Sequence, residues 1–336
     1  MMCNMKHESP PQSSQSLQVS FALIDADQAG QRLDNFLMAR LKGVPKSRIY
    51  NIIRKGEVRV NKGRSKPEYK LLAGDSIRIP PIRVSDEKPE AKVSNQMQKL
   101  LDDSILFEDE GLLVINKPSG LAVHGGSGIS LGLIETLRQM RPDARYLELV
   151  HRLDRDTSGC IMVAKKRSYL RFLQAALREK SQHEASKGGI QKTYQALVVG
   201  NWPANHGHVD APLLKMELNK DERIVKVHPE GKSSLTEFRV LARYQGFSLM
   251  EAKPITGRTH QIRVHAQYAG HCLVGDEKYG HDETNIAMRE FGLKRLFLHA
   301  SQLSFVLPHS PEIIQVIAPL PADLLKPLSR LEPLPL

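Results

Sequence analysis

Leu147-Glu148-Leu149-Val150-His151-Arg152-Leu153-Asp154-Arg155-Asp156-Thr157-Ser158-Gly159-Cys160-Ile161-Met162-Val163-Ala164 is the stretch on which the fold turns. Apolar Leu147, Leu149 and Val150 before it and the run Cys160–Ala164 after it predict two strands, with His151–Gly159 as the tight connection between them. Connections held by a rigid scaffold are where sites tend to be built. Asp154, set among the cations Arg152 and Arg155, stays ionised and can serve as a nucleophile or a base. The plainer reading is a turn in which Asp156, Thr157 and Ser158 satisfy backbone donors. One nonapeptide can hold both.

Working outward toward the C-terminus, strands and helices alternate irregularly. Strands are predicted at Ile105–Asn116, Thr193–Val199, Leu235–Tyr244, Phe247–Lys253 and Leu296–Phe305, and helices at about Leu131–Met140 and Ser168–Glu179. Strands come in runs joined by turns, which predicts an α+β body with a largely antiparallel mixed sheet over about residues 100–325. The polar insert Ser181–Gly189 reads as a loop.

Toward the N-terminus the character changes. A helix through Arg32, Leu33, Phe36, Leu37 and Leu41 leads into Val44-Pro45-Lys46-Ser47-Arg48, where Pro45 and Ser47 suit the start of a second helix. That helix sets Ile49, Ile52 and Ile53 on one face and Lys46, Arg48, Arg54 and Lys55 elsewhere. Gly56 ends it before strands at Val58–Asn61 and Ser76–Pro80. The chain has 48 Lys and Arg against 37 Asp and Glu, a net charge of +11. Residues 19–80 hold thirteen of those cations and six of the acids, so most of the surplus sits in one small module. Concentrated cations on a strand-bounded helix pair point to nucleic acid, against the alternative of a solvated helix face.

With 336 residues there is room for two domains, and 40% hydrophobic residues suffice for ordinary cores. Cys3, Cys160 and Cys272 form neither a CxxC pair nor a disulfide framework, which fits a reducing cytoplasm. No apolar run reaches the roughly 18 residues of a membrane span. Residues 1–17, rich in Ser, Gln, Met and Pro, read as a disordered tail, and 83–99, without any period, as a linker.

Three further segments stand out. Ile115–Gly126 is a strand breaking into a Gly-rich loop whose amides could cradle phosphate, although it lacks a GxxxxGK[ST] pattern. Lys192-Thr193-Tyr194 places a tyrosine early in a strand, where such residues are more often core. Gly257-Arg258-Thr259-His260-Gln261-Ile262-Arg263-Val264-His265-Ala266 reads as a short helix capped by Thr259, with Ile262 and Ala266 on one face and Arg263 on a neighbouring one. Its two histidines, five apart, do not match the i, i+4 spacing of a zinc pair, so no metal is expected.

The segment 18–82 resembles the S4 RNA-binding domain. HRLDxxTSG at His151, KxY at Lys192 and HQ[LI]R at His260, in that order, resemble the RluA family of pseudouridine synthases over about residues 100–320. Gly125 is a departure, since many members have Pro after the histidine that stands here as His124 in the Gly-rich segment. The resemblance implies a cofactor-independent isomerisation of uridine in ribosomal RNA of the large subunit. The base is cut from the ribose, rotated and rejoined through carbon 5. It assigns the carboxylate to Asp154, the pairing arginine to Arg263 as a bidentate partner, and stacking on the base to Tyr194. Ile262 and Leu153 would close the pocket, and Arg152 would fill the gap left by the flipped nucleotide. Asp154 would attack the sugar or remove the ribose 2-prime hydrogen to give a glycal. Both routes stay open, with the glycal as working route. RNA contacts in the basic module fall to Arg32, Lys46, Arg48, Arg54, Lys55 and Arg59, and the enzyme is expected to be a cytoplasmic monomer.

Other classes fit less well. A kinase catalytic loop is excluded by Leu153 within the HRD element and by the lack of DFG. A glycosidase needs two carboxylates facing one sugar bond, which Asp154 and Asp156 on adjacent turn positions do not offer. A noncatalytic RNA-binding or ribosome-assembly protein would leave the nonapeptide without a task, and modification of RNA without any additive separates it from an enzyme.

Overall fold

The computed structural model describes residues 18–26, 28–41, 43–82, 92–125, 131–144, 146–180, 189–217 and 223–335. The tail 1–17, positions 83–91 of the stretch read as linker, and positions 181–188 of the polar insert lie outside the described residues. The chain divides into two compact units, Met1–Glu90 and Ala91–Leu336.

The first unit contains β1 (Ser20–Leu23), α1 (Leu33–Arg40), α2 (Lys46–Arg54), β2 (Arg59–Val60) and β3 (Ser76–Ile79). Its strands form an antiparallel sheet in the order β1-β3-β2. Ile49, Ile52 and Ile53 recur at helical spacing and are buried, which pins α2 to the core shared with Leu33, Leu37 and Ile77. Gly56 stops α2 because its φ of 71° suits glycine. The amides of Gly56 and Glu57 then turn back to the carbonyls of Ile53 and Ile52, closing the helix end.

The second unit runs α3 (Asn95–Asp102), β4 (Ile105–Glu108), β5 (Leu112–Lys117), α4 (Leu133–Met140), β6 (Glu148–Leu149), β7 (Ser158–Ala164), α5 (Arg167–Lys180), β8 (Gln191–Val199), β9 (His208–Asp210), β10 (Leu213–Glu217), β11 (Arg223–Val227), β12 (Leu235–Tyr244), β13 (Phe247–Pro254), α6 (Gln261–Tyr268), α7 (Asp282–Glu290), β14 (Leu298–Leu307), β15 (Ser310–Ile317), α8 (Ala322–Leu328) and β16 (Pro333–Leu334). The main sheet has the path β16-β12-β13-β8-β14-β7-β5-β4, with β15, β6 and β9 attached. Among the described residues only β14 and β7 pair in parallel, so the α+β fold with a largely antiparallel sheet is the one found. Helix α3 begins inside the aperiodic stretch 83–99.

β5 and β7 explain their own sequences. Leu113, Ile115, Ile161 and Val163 face one core, whereas Leu112, Val114, Cys160 and Met162 face the other. A strand covered on both faces needs a continuous apolar run, not an alternating one. The single strand expected over Ile105–Asn116 is instead a hairpin. Asp109 Oδ1 accepts from the amides of Gly111 and Leu112 at 2.8 and 2.6 Å, a local turn that competes with the ladder. No helix among the described residues is long and apolar enough to cross a membrane.

Candidate active site

Asp154 lies on the connection from β6 to β7, and both ends of that loop are fastened. Gly159 has φ 107°, and a Cβ there would stand 2.2 Å from the carbonyl oxygen of Ala300, so only glycine lets β7 lie against β14. Beside it the Ser158 hydroxyl lies 2.8 Å from His299 Nδ1. His299 Nε2 faces the Ala318 carbonyl at 3.1 Å and must donate to it, so Nδ1 accepts and Ser158 donates. Arg295 in turn donates to the Ser158 oxygen at 3.2 Å. At the other end, the buried Lys117 Nζ donates to the carbonyls of Pro118, Leu121 and Arg155 at 2.8 to 2.9 Å. Burial pushes this amine down to about 7, against the charges of Asp156 and Asp154.

The plainer reading of Asp156, Thr157 and Ser158 needs correcting in its detail. Ser158 acts through His299 and Arg295, and Asp156 pairs with Arg155 at 3.1 Å. The turn itself is closed by the backbone, with the Thr157 amide on the Asp154 carbonyl at 3.2 Å. Gly126 of the Gly-rich loop lies outside the described residues, and in the part up to Gly125 two amides are already used. The amide of Gly120 donates to the Arg155 carbonyl and that of Gly125 to Glu135.

Helix α6 brings in the second set of groups. Its N-cap is His260, at φ 54° and ψ 21°, and not Thr259. A histidine in the left-handed region costs about 1 kcal/mol or more, so the surroundings must hold it there. Gln261 replaces the missing cap. Its Oε1 accepts from Thr256 Oγ1 and the Arg258 amide at 2.7 and 2.9 Å, while its Nε2 donates to the Leu235 carbonyl and Thr236 Oγ1, both at 2.9 Å. All four hydrogen-bonding positions of this buried amide are used, which fixes the loop 256–258 against β12.

Arg263 is where expectation and geometry part. Its bidentate partner is Asp276, with Nε to Oδ2 at 2.6 Å and Nη2 to Oδ1 at 2.7 Å. Asp276 also accepts from the amides of Lys278 and Tyr279 at 2.9 and 3.0 Å. Burial would raise this carboxyl, but the hydrogen bonds and charge of Arg263 prevail and hold it below the usual range. Only Nη1 of Arg263 faces Asp154, 3.6 Å from Oδ2. The guanidinium lies over the Tyr279 ring, 4.9 Å from its centre. His260 Nε2 stands 3.8 Å from the same Asp154 oxygen.

Asp154, with 21% of its side chain exposed, opens into a cavity that Arg152, Leu153, Tyr194, Ile262, Arg263 and Leu298 help to line. Tyr194 comes from β8 and is buried, and burial followed by the charge of Asp154 pushes its phenol well above the ordinary value. Leu153 and Ile262 are buried beside it, and Arg152 is exposed at the mouth. On its other side Asp154 borders a cleft lined by His124, Arg155, Lys278, Lys294 and Arg295. Asp154 therefore borders both a pocket of mixed polar and apolar lining and a cleft whose cations stand beside the acids Asp156, Asp276 and Glu277. His260, Gln261, Asp276, Tyr279 and the strut Lys117 are the parts that sequence reasoning missed. The turn Gly275–Gly280 offers no periodicity, although an acid between glycines is a signal of its own.

In the first unit Lys46, Arg48, Arg54, Lys55 and Arg59 are exposed. Arg32 is already engaged, holding the buried Asp34 at 2.6 and 3.0 Å.

Family models match in both units. The model for RNA pseudouridylate synthase covers residues 111–268, and that for the S4 domain covers 31–77. The chain belongs to the RNA pseudouridylate synthase family and carries an S4 domain. It is 56% identical over 315 residues to ribosomal large subunit pseudouridine synthase C of Pasteurella multocida, spanning 93% of this chain and 94% of that protein. The protein of the same name from Escherichia coli K12 is 55% identical over 331 residues, 97% of this chain and 99% of its own length. Among solved structures, human RNA pseudouridylate synthase domain containing 4 is similar with a TM-score of 0.57 and 27% identity, over 71% of this chain and 97% of that one.

Proposed function

We propose that this chain converts specific uridines of large-subunit ribosomal RNA, or of its assembly precursor, to pseudouridine in the cytoplasm, acting as a monomer without a cofactor. The observation that carries the reading is the convergence of Asp154, Tyr194, Ile262 and Arg263 on one cavity from three separated segments. Isomerisation detaches the base at N1, turns it and rejoins it at carbon 5, with loss of the carbon 5 proton and return of one to N1. The overall change needs no added atom. It needs an ionised carboxylate near the ribose and a pocket that retains the free base.

Asp154 supplies the carboxylate, either as nucleophile at ribose carbon 1 or as base at carbon 2. Arg263 Nη1 stands 3.6 Å from its Oδ2 without engaging it in a bidentate pair. Tyr194 packs against the base, a contact worth about 1 to 3 kcal/mol, and Leu153 and Ile262 close the pocket around it. Arg152 takes the place of the flipped nucleotide, which leaves its stack at a cost of a few kcal/mol. Lys46, Arg48, Arg54, Lys55 and Arg59 contact phosphates, with Arg32 serving chiefly to order the module through Asp34. The similarity to the two bacterial synthases C, whose names specify the large ribosomal subunit, supports this substrate.

The test is incubation of the purified chain with unmodified large-subunit RNA and no additive, followed by chemical mapping of pseudouridine. Product at discrete uridines, lost with Asp154→Asn while RNA binding stays within a few fold, is the expected result. Binding without product from the unsubstituted chain would favour the noncatalytic assembly role.

A further inference from the structure

His260 stands 3.8 Å from Asp154 Oδ2, and the reaction as proposed gives it no role. Glycine would suit its backbone angle of φ 54° better, so a histidine there is kept for its side chain. The ring is fixed by Tyr279, whose hydroxyl lies 2.7 Å from Nδ1. That hydroxyl accepts the Val225 amide hydrogen at 3.0 Å and has its own hydrogen to donate to Nδ1. A neutral imidazole that accepts at Nδ1 carries its hydrogen on Nε2. Nε2 is the atom that stands 3.8 Å from Asp154 Oδ2, the oxygen also approached by Arg263 Nη1 at 3.6 Å.

We propose that His260 is a positioning residue for the reaction at Asp154: Tyr279 sets its tautomer, and its Nε2–H acts with Arg263 Nη1 to hold Oδ2, so that the carboxylate meets the ribose in one orientation. The inference rests on Asp154 being the reacting carboxylate. The charged and titratable groups that face the ring are Asp154 from the β6–β7 connection, Arg263 from α6, and Asp276, Lys278 and Tyr279 from the turn that follows β13 and α6. Burial lowers the ring's proton affinity ahead of the opposing charge of Asp154, which makes His260 a neutral donor and not a second cation. Such a donor orients the carboxylate without placing a second cation beside it. The 3.8 Å separation is longer than a hydrogen bond, and free sites of this kind tighten when substrate enters.

His260→Gly tests this without a backbone penalty, because glycine accepts the same φ. On unmodified large-subunit RNA, kcat should fall about 10- to 100-fold, the scale of a misplaced reacting group. KM should stay within about twofold, and added imidazole should restore part of the rate. Tyr279→Phe should lower kcat in the same direction by less. The double variant should be no worse than His260→Gly alone, because Tyr279 acts through His260. A pair that merely supports the fold would instead lower the melting temperature, raise KM and give additive losses, and that pattern overturns the proposal. So does turnover by folded His260→Gly within about twofold of the unsubstituted chain. If the glycine variant does not fold, His260→Asn, which tolerates the same φ, should show the same loss of kcat, and full activity in it is equally fatal. Absence of product from the unsubstituted chain would overturn the activity itself and this inference with it.

Discussion

Arg263 lies between two aspartates that the fold treats in opposite ways. Asp276 is buried and receives both arms of the guanidinium fork plus two backbone amides. Asp154 is partly exposed, meets the same arginine through one nitrogen at 3.6 Å, and borders two cavities. The contrast shows how a fold can keep a positive charge beside an open carboxylate without locking it in a bidentate pair. The buried acid takes the strong geometry and fixes the arginine; the open acid feels the charge and keeps room for a substrate. A direct bidentate pair with Asp154, as the family resemblance implied, would have covered the oxygens that the proposed reaction uses.

The sharpest way to break this comparison is to neutralise each acid in turn. Asp154→Asn should abolish turnover, by at least about a thousandfold on the scale of lost nucleophiles and bases, and leave the urea midpoint essentially unchanged. Asp276→Asn should do the reverse in emphasis. Leaving Arg263 buried without a counter-charge costs about 3 to 5 kcal/mol, so a large drop in the urea midpoint is expected, with turnover falling as Arg263 shifts. If both variants lost stability equally, the two acids would not differ in kind. A smaller effect is expected at the loop's own anchor. Gly159→Ala meets the Ala300 carbonyl and a φ of 107°, and should destabilise by about 2 to 3 kcal/mol and lower turnover by displacing Asp154. Calorimetric melting alongside product mapping would separate the two losses.

Much of this was legible from residues alone, for physical reasons that can be named. The doubly buried β5 and β7 announce themselves as unbroken apolar runs, and Ile49, Ile52 and Ile53 show the buried face of α2 by their spacing. The nonapeptide marks the loop with Asp154, and Tyr194 and Ile262 reach the same cavity. The partner of Arg263 was not legible, since it is set by a turn that returns Asp276 beneath α6, and turns carry no period. Helix α7 is polar along most of its length, β15 contains Pro311, and most of β10 is exposed, so none has the pattern that betrays a buried element. The hairpin at Asp109 was hidden because the two apolar strands flanking it read as one.

Lys117 gives the smallest and most specific test, because it links burial to the open acid. Its ammonium spans the carbonyls of Pro118, Leu121 and Arg155, and the last of these belongs to the residue after Asp154. Burial lowers its folded value to about 7 from an ordinary 10.5, so between those limits the unfolded chain holds a proton that the native one releases. Stability must then rise with pH across that window, by up to about 1.4 kcal/mol per pH unit. Below about pH 7 both states are protonated and the full cost of burying the charge is present; above about 10.5 it vanishes. Lys117→Met takes a donor from three carbonyls, of which that of Arg155 keeps the Gly120 amide, and its urea unfolding free energy should lack this rise. Between pH 7.5 and 9.5 the unsubstituted chain should gain roughly 2 to 3 kcal/mol more than the variant. Equal slopes would mean that the three carbonyls hold the ammonium charged despite its burial. The loop carrying Asp154 would then be fastened by a permanent cation, and the open acid would feel a second positive charge besides Arg263.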